Sequence, residues 1–261
     1  MKRKAYPSDL TRKQFKRLEA LLPQGRPGGR PRSVDLYEVL CAILYTLQNG
    51  NTWRALPHDF PKWQTVYAYF RRFQQDGIWA AINRKLVRQT RCAEGRSAEP
   101  SAAILDAQSV RCAPQAGPRG VDAGKRINGR KRHVLVDTLG LLLFVLVTSA
   151  NVQDHNGGRF VLNAARQRFP AIQLVWVDRG YQAGLAAWVK ALCGWVIEVV
   201  RPVPGARGFQ ILPRRWVVER SLAWFTRSRR LSKDFEGCPH TTEAWCYLAN
   251  IRLMLRRLDP L

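Results

Sequence analysis

Apolar residues recur at helical spacing through the first third of the chain and in short blocks after it. Thr11 and Gln14 make a capping-box pattern ahead of Phe15, Leu18 and Leu22. Ser33 is positioned to cap a second helix whose apolar stripe is Leu36, Leu40, Ile43 and Leu47. Gly50-Asn51-Thr52 breaks it, and residues 53–56 make about one turn before Pro57. Pro61 opens a helix with Trp63, Val66, Phe70 and Phe73 inward and Gln64, Thr65, Tyr69, Arg71 and Arg72 on its other faces. Trp79, Ile82 and Leu86 mark a further helix. Residues 91–102 lack large apolar side chains and read as a boundary: a helical domain over 1–92, a linker over 93–102 and a second domain over 103–261.

Beyond the boundary the period changes. Residues 103–106 form a short apolar run ending in Asp106. Residues 132–136 and 141–147 read as a hairpin around Asp137-Thr138-Leu139-Gly140. Asp154 is placed to cap a helix reaching about residue 169, and residues 172–178 form a strand ending in Asp178. A helix over about 182–192, a strand over 195–200, a Pro/Gly loop and helices over about 214–230 and 241–258 complete the pattern. The order predicts a mixed α/β sheet with flanking helices, preceded by an all-α domain of helix-turn-helix type.

Charge narrows the partners. The 261 residues carry a net charge of +24, and the surplus is spread over the whole length, so the folded body itself presents positive surface. Such a balance suits a chain that neutralises many phosphates and argues for double-stranded DNA. The segment 25–32 holds Arg26, Arg30 and Arg32 among Gly and Pro, a composition that fits a minor groove; a solvated basic linker is the alternative. Gln64, Thr65, Arg71 and Arg72 would read the major groove from their helix, whereas a dimerisation module is the other reading of these helices. The longest apolar run, residues 134–147, is too short and too interrupted to cross a membrane. The charged start has no apolar stretch after it, and the six cysteines show no metal spacing. The expectation is a cytoplasmic, nucleoid-associated protein with reduced thiols.

Three acids are the candidates for chemistry. Asp106 and Asp178 end apolar strands, where ligands gather in open sheets, and Glu219 lies early in a helix. Carboxylates are hard ligands suited to Mg²⁺, and a pair of such ions roughly 4 Å apart can clamp the attacking and leaving oxygens of a phosphodiester. Asp137 and Asp154 are rivals, each explained as well by a turn or a cap.

Several segments then add a resemblance. Leu105-Asp106-Ala107-Gln108-Ser109-Val110, the basic run Gly124-Lys125-Arg126-Ile127-Asn128-Gly129-Arg130-Lys131-Arg132-His133, Val177-Asp178-Arg179-Gly180-Tyr181 and Trp216-Val217-Val218-Glu219-Arg220 resemble the catalytic segments of DDE transposases from small bacterial insertion sequences. Trp53-Arg54-Ala55-Leu56-Pro57 and Trp63-Gln64-Thr65-Val66-Tyr67 resemble the DNA-binding module of the insertion-sequence family numbered five. The resemblance implies an RNase H-like fold and a catalytic, metal-binding triad of Asp106, Asp178 and Glu219. Two Mg²⁺ ions are implied, with Mn²⁺ able to substitute. It also implies binding to terminal inverted repeats, nicking at the element's ends, transfer of the 3′-hydroxyl ends to target DNA, and a homodimer or larger assembly. A non-cleaving regulator descended from such an enzyme is the alternative. Related transposases place a tyrosine, an arginine and a lysine around the glutamate. Arg215 matches the arginine, whereas Leu212 and Thr226 stand at the other two positions. Lys125, Arg126, Arg130, Lys131, Arg132, Arg215, Arg220 and Arg227 are further expected DNA contacts, and His133 is expected to be structural.

Overall fold

The computed structural model describes residues 3–23, 33–181, 184–201 and 212–260. The expected minor-groove residues Arg26, Arg30 and Arg32, the expected start of a helix at 182 and most of the Pro/Gly loop lie outside the described residues.

Four helices come first: α1 (Arg12–Glu19), α2 (Leu36–Asn49), α3 (Trp63–Gln75) and α4 (Ile78–Ala93), with a 3₁₀ turn at Trp53–Ala55. The capping box at Thr11 forms with both of its bonds. Ser33 does not cap α2; the Asp35 carboxylate accepts from the Tyr37 N–H instead, because Asp35 directly precedes the helix. Gly50 ends α2 at φ 72°, a left-handed position that glycine adopts without strain.

A six-stranded sheet follows: β1 (Ala102–Arg111), β2 (Gly120–Asp122), β3 (Ile127–Asp137), β4 (Leu142–Ser149), β5 (Leu174–Val177) and β6 (Val196–Val199). β3 runs antiparallel to β1, β2 and β4, and β1, β5 and β6 run parallel. The expected hairpin is β3–β4. Helices α5 (Asp154–Arg166), α6 (Leu185–Cys193), α7 (Pro213–Thr226) and α8 (Pro239–Leu258) flank the sheet. The architecture is therefore mixed α/β with a helical N-terminal region, in the RNase H-like manner expected. No helix among the described residues is long and apolar enough to cross a membrane.

The helical region and the sheet share one apolar core. Trp245 of α8 joins them: Phe70 stacks on it at 4.4 Å and Trp53 at 5.6 Å between ring centroids. Polar groups seal the same seam. Asn83 donates to the Leu142 carbonyl and accepts from Asn250, and Arg91 pairs with Asp137 at 2.5 Å.

The basic run on β3 turns inward, contrary to expectation. Arg130 is fully buried, pairs with Asp234 at 2.9 Å and donates to the Pro118 and Gly237 carbonyls. Lys131 is buried between Asp154 at 2.8 Å and Asp122 at 3.4 Å. Arg132 is fully buried, and Gln108 accepts from its Nη1 at 3.4 Å. The placement of these three as DNA contacts is corrected: β3 is paired on both edges and covered, so its long cations point into the protein. His133 is buried too. Its Nε2 meets the Thr148 hydroxyl at 3.0 Å, and α5 crosses so close that a Cβ on Gly157 would lie 2.1 Å from the imidazole.

Two predictions follow from these buried charges. Asp234 also accepts from the Thr242 hydroxyl and the Glu236 N–H, so Asp234→Ala strands a buried guanidinium. Urea denaturation should show a loss of about 3–5 kcal/mol, and a loss below ~1 kcal/mol would contradict this role. Burial holds the His133 imidazole down at about 4; Lys131 and Lys125 push the same way and Asp154 opposes. The unfolded chain therefore binds the proton first, so this contribution to stability is full above the ordinary value of 6.5 and declines as pH falls towards 4. The urea midpoint of the wild-type chain should drop more steeply than that of His133→Gln from about pH 7 to about pH 5; parallel profiles would refute it.

Candidate active site

Asp106 and Asp178 reach the same level because of strand register. Ile104 of β1 lies opposite Trp176 of the parallel strand β5, and two residues further each chain arrives at its acid. Apolar neighbours on both strands force the pairing: Ile104, Leu105, Val175, Trp176 and Val177 are all buried. Asp178 lies just past β5, where a 3₁₀ turn at Arg179–Tyr181 begins, and the Gly180 N–H donates to its carboxylate at 2.9 Å.

Burial pushes the Asp106 carboxyl up to about 6. The nearby charge of Asp178 adds to that rise. A hydrogen bond from the Ala107 N–H (2.7 Å) and the charges of Lys125 and Arg215 oppose it. Lys125 is tethered by a bond to the Ala107 carbonyl at 3.3 Å.

Glu219 stands apart from this pair. It rides on α7, which packs on β1 through the buried side chains Val218, Leu222 and Phe225. Its half-exposed carboxylate is held by Arg215, one turn earlier, at 2.8 Å. Arg215 thus couples the two groups, pairing with Glu219 while its charge acts on Asp106. Among the described residues, no group of three or more His, Cys, Asp and Glu side chains is arranged to hold a metal ion. The oxygen donors of Asp106 and Asp178 nevertheless fit a hard divalent cation. A buried carboxyl facing a second acid, with one backbone donor, gains from a compensating charge.

Three neighbours surround the pair, of which Asp122 is not singled out by the sequence. Asp154 begins α5 but does not cap it; the N-cap is Gln153, with no side-chain cap bond. Its carboxylate pairs with Lys131 instead, which corrects the expected cap. Asp122 accepts from the Ser109 hydroxyl at 2.5 Å and is pulled down to about 2, chiefly by that bond. Tyr181 is completely buried, and its hydroxyl has no hydrogen-bond partner among the described residues. Burial and the charges of Asp106, Asp154 and Asp178 hold its proton on. Tyr181 belongs to the segment after Asp178 that the sequence singles out, but its burial rests on contacts from other elements.

The expected DNA contacts divide by burial. Gln64 and Arg72 are exposed on α3, Arg72 within 3.7 Å of Asp76. Thr65 and Arg71 are partly covered, and Arg71 donates to Gln74. Lys125 and Arg126 are exposed between β2 and β3, with Arg126 at φ 51°. Arg215 and Arg227 are exposed on and just after α7. Arg220 lies between the rings of Trp216 and Trp224, at 4.6 and 4.8 Å, and donates to the Leu139 carbonyl. It ties α7 to the β3–β4 turn.

Comparison with known proteins agrees with this layout. Residues 10–83 match a family described as "Putative transposase of IS4/5 family", and residues 97–254 match the family described as "Transposase DDE domain". The "Putative transposase for insertion sequence element IS402" of Burkholderia cepacia is 31% identical over 135 residues. That match covers 47% of this chain and 60% of the relative, so the chain spans less than two thirds of that relative's length. A strand-borne acid pair on a mixed sheet and a family match over more than half of the chain lead to one conclusion: this chain belongs to the DDE transposases of bacterial insertion sequences.

Proposed function

We propose that the protein binds the terminal inverted repeats of its insertion sequence, nicks the element's ends by hydrolysis and joins the freed 3′-hydroxyl ends to target DNA. The observation that carries this reading is the common level of Asp106 and Asp178 on parallel strands, with burial lifting Asp106 to about 6. Carboxylates forced together in a chain of net charge +24 are a site awaiting cations.

Asp106, Asp178 and Glu219 would hold two Mg²⁺ ions, with Mn²⁺ as a substitute. When bound, these supply Lewis-acid polarisation of the scissile phosphate and lower the pKa of the attacking water or hydroxyl. The chain's own groups do the rest. The Gly180 N–H orients the Asp178 carboxylate. Arg215 pairs with Glu219, and its guanidinium could take a phosphate oxygen once Glu219 turns to a cation. Lys125, tethered at the Ala107 carbonyl, adds positive charge where the DNA strand would lie. Gln64, Thr65, Arg71 and Arg72 on α3 and the exposed Arg126 and Arg227 extend the phosphate path away from the acids. Two ends are cut and joined together, so the working form is a homodimer or larger assembly on DNA in the cytoplasm.

A nicking assay tests this reading. A labelled duplex carrying the terminal repeat and its flank is incubated with the full chain in Mg²⁺, in Mn²⁺ or in EDTA. Cuts at the repeat boundary are expected in either metal, none in EDTA, and a drop of at least about a hundredfold in Asp178→Ala. Specific binding without cleavage in either metal would overturn it.

A further inference from the structure

The two tryptophan motifs of the helical region meet at a groove that contains none of the three acids and shares only Arg71 with the phosphate path above. Trp63, Tyr67 and Arg71 are spaced one turn apart and share one face of α3. With Trp53 and Arg54 of the preceding 3₁₀ turn they line one side of an open groove of about 570 Å³. Cys238 and Thr241, at the start of α8, line the other side. The wall is firm, because Trp53 is stacked on the buried Trp245. Tyr67 lies 5.4 Å from Trp53, ring to ring, and keeps 38% of its surface exposed.

Its charges are available. The Arg54 guanidinium stands 5.8 Å from the Trp63 ring, and Arg71 donates to Gln74. Neither has an acidic partner among the described residues. The acid at the groove, Glu236, is engaged by Arg230 at 2.7 Å and by the Trp245 N–H at 3.1 Å. α8 has no side-chain cap, so its first turn adds positive potential at the same edge.

Aromatic faces beside free guanidinium groups suit nucleotides: the ring stacks on a base and the cation takes its phosphate. Shape then chooses among nucleic acids. A helix that reads a duplex must protrude into a groove roughly 12 Å wide, whereas this face of α3 is flanked by the start of α8. A groove of about 570 Å³ is matched to one base that has left its stack rather than to a duplex.

We propose that this groove captures an unpaired DNA nucleotide, with its base stacked on Tyr67 and Trp63 and its phosphate held by Arg54 and Arg71. The proposal rests on the DNA-binding reading above and adds a site for a strand that has left the duplex. Duplex contacts then fall to the other exposed face of α3, which carries Gln64 and Arg72.

The test uses the full chain and two probes: a short DNA single strand with one central 2-aminopurine, whose fluorescence falls on stacking, and the fully paired duplex of the same sequence. The wild-type chain should bind the single strand and quench its probe. Tyr67→Ala should lose the quenching and at least about fivefold in single-strand affinity, while duplex affinity stays within about twofold. Tyr67→Phe, which keeps the ring, should behave as wild type. Arg54→Ala should weaken single-strand binding and keep the quenching. Unchanged quenching and affinity in Tyr67→Ala overturns the proposal, and so does an equal loss on both DNA forms. A wild-type chain that binds neither form overturns the DNA-binding reading and the groove with it.

Discussion

β1 is paired to β3 over residues 103–111 along one edge and to β5 over residues 102–104 along the other, and this double pairing places everything else. Side chains alternate with a period of two, so a slip of one residue would turn Asp106 away from its face and bring Leu105 in its place. Burial forbids that slip: Ala103, Ile104 and Leu105 are buried together, with Val134, Leu135 and Val136 across the β3 edge. The same pairing lines up β5, so the acid after Val177 arrives beside Asp106. The site is a consequence of apolar packing two residues away.

The sheet also buries charge at an unusual density, and this explains how a chain with so many cations stays folded. Arg91 meets Asp137, Arg130 meets Asp234, Lys131 meets Asp154 and Asp122, and Arg230 meets Glu236. Each pair offsets the desolvation of its partner, and removing one member leaves a costly orphan. Such pairs draw acids inward. The surface keeps the surplus of Lys and Arg, which leaves positive charge facing outward without a basic tail.

What could be read from the chain depended on range. The Thr11 capping box, the glycine after α2 and the β3–β4 hairpin rest on neighbours a few residues apart, and those signals held. The end of β5 at Asp178 was equally visible, because an apolar run and its final acid are local. Asp106 was expected to end its strand but lies inside β1, which runs on to Arg111 because β3 pairs with it that far. Arg130 failed as a surface residue because its partner, Asp234, is 104 positions away. Asp154 failed as a cap for the same reason: Lys131 competes for it from β3. Ser33 lost to Asp35 by geometry alone, since the carboxylate nearer the helix reaches the free N–H. No local pattern announces that Trp53 and Phe70 close over a tryptophan of the last helix.

The three acids differ in how tightly they are held, and the difference has a use. Asp106 and Asp178 are set by strand pairing and cannot retreat from one another. Glu219 is set by a side-chain pair to Arg215 on a half-exposed helix face. Exposed pairs four residues apart contribute only about 0.3–0.5 kcal/mol, so exchanging Arg215 for another cation costs little. Under the proposed reading, Arg215 would be left with a free guanidinium if Glu219 turned to a cation. On that reading, two acids fixed by the sheet would set the location for cations, and a third on a half-exposed helix face would complete it from outside the sheet.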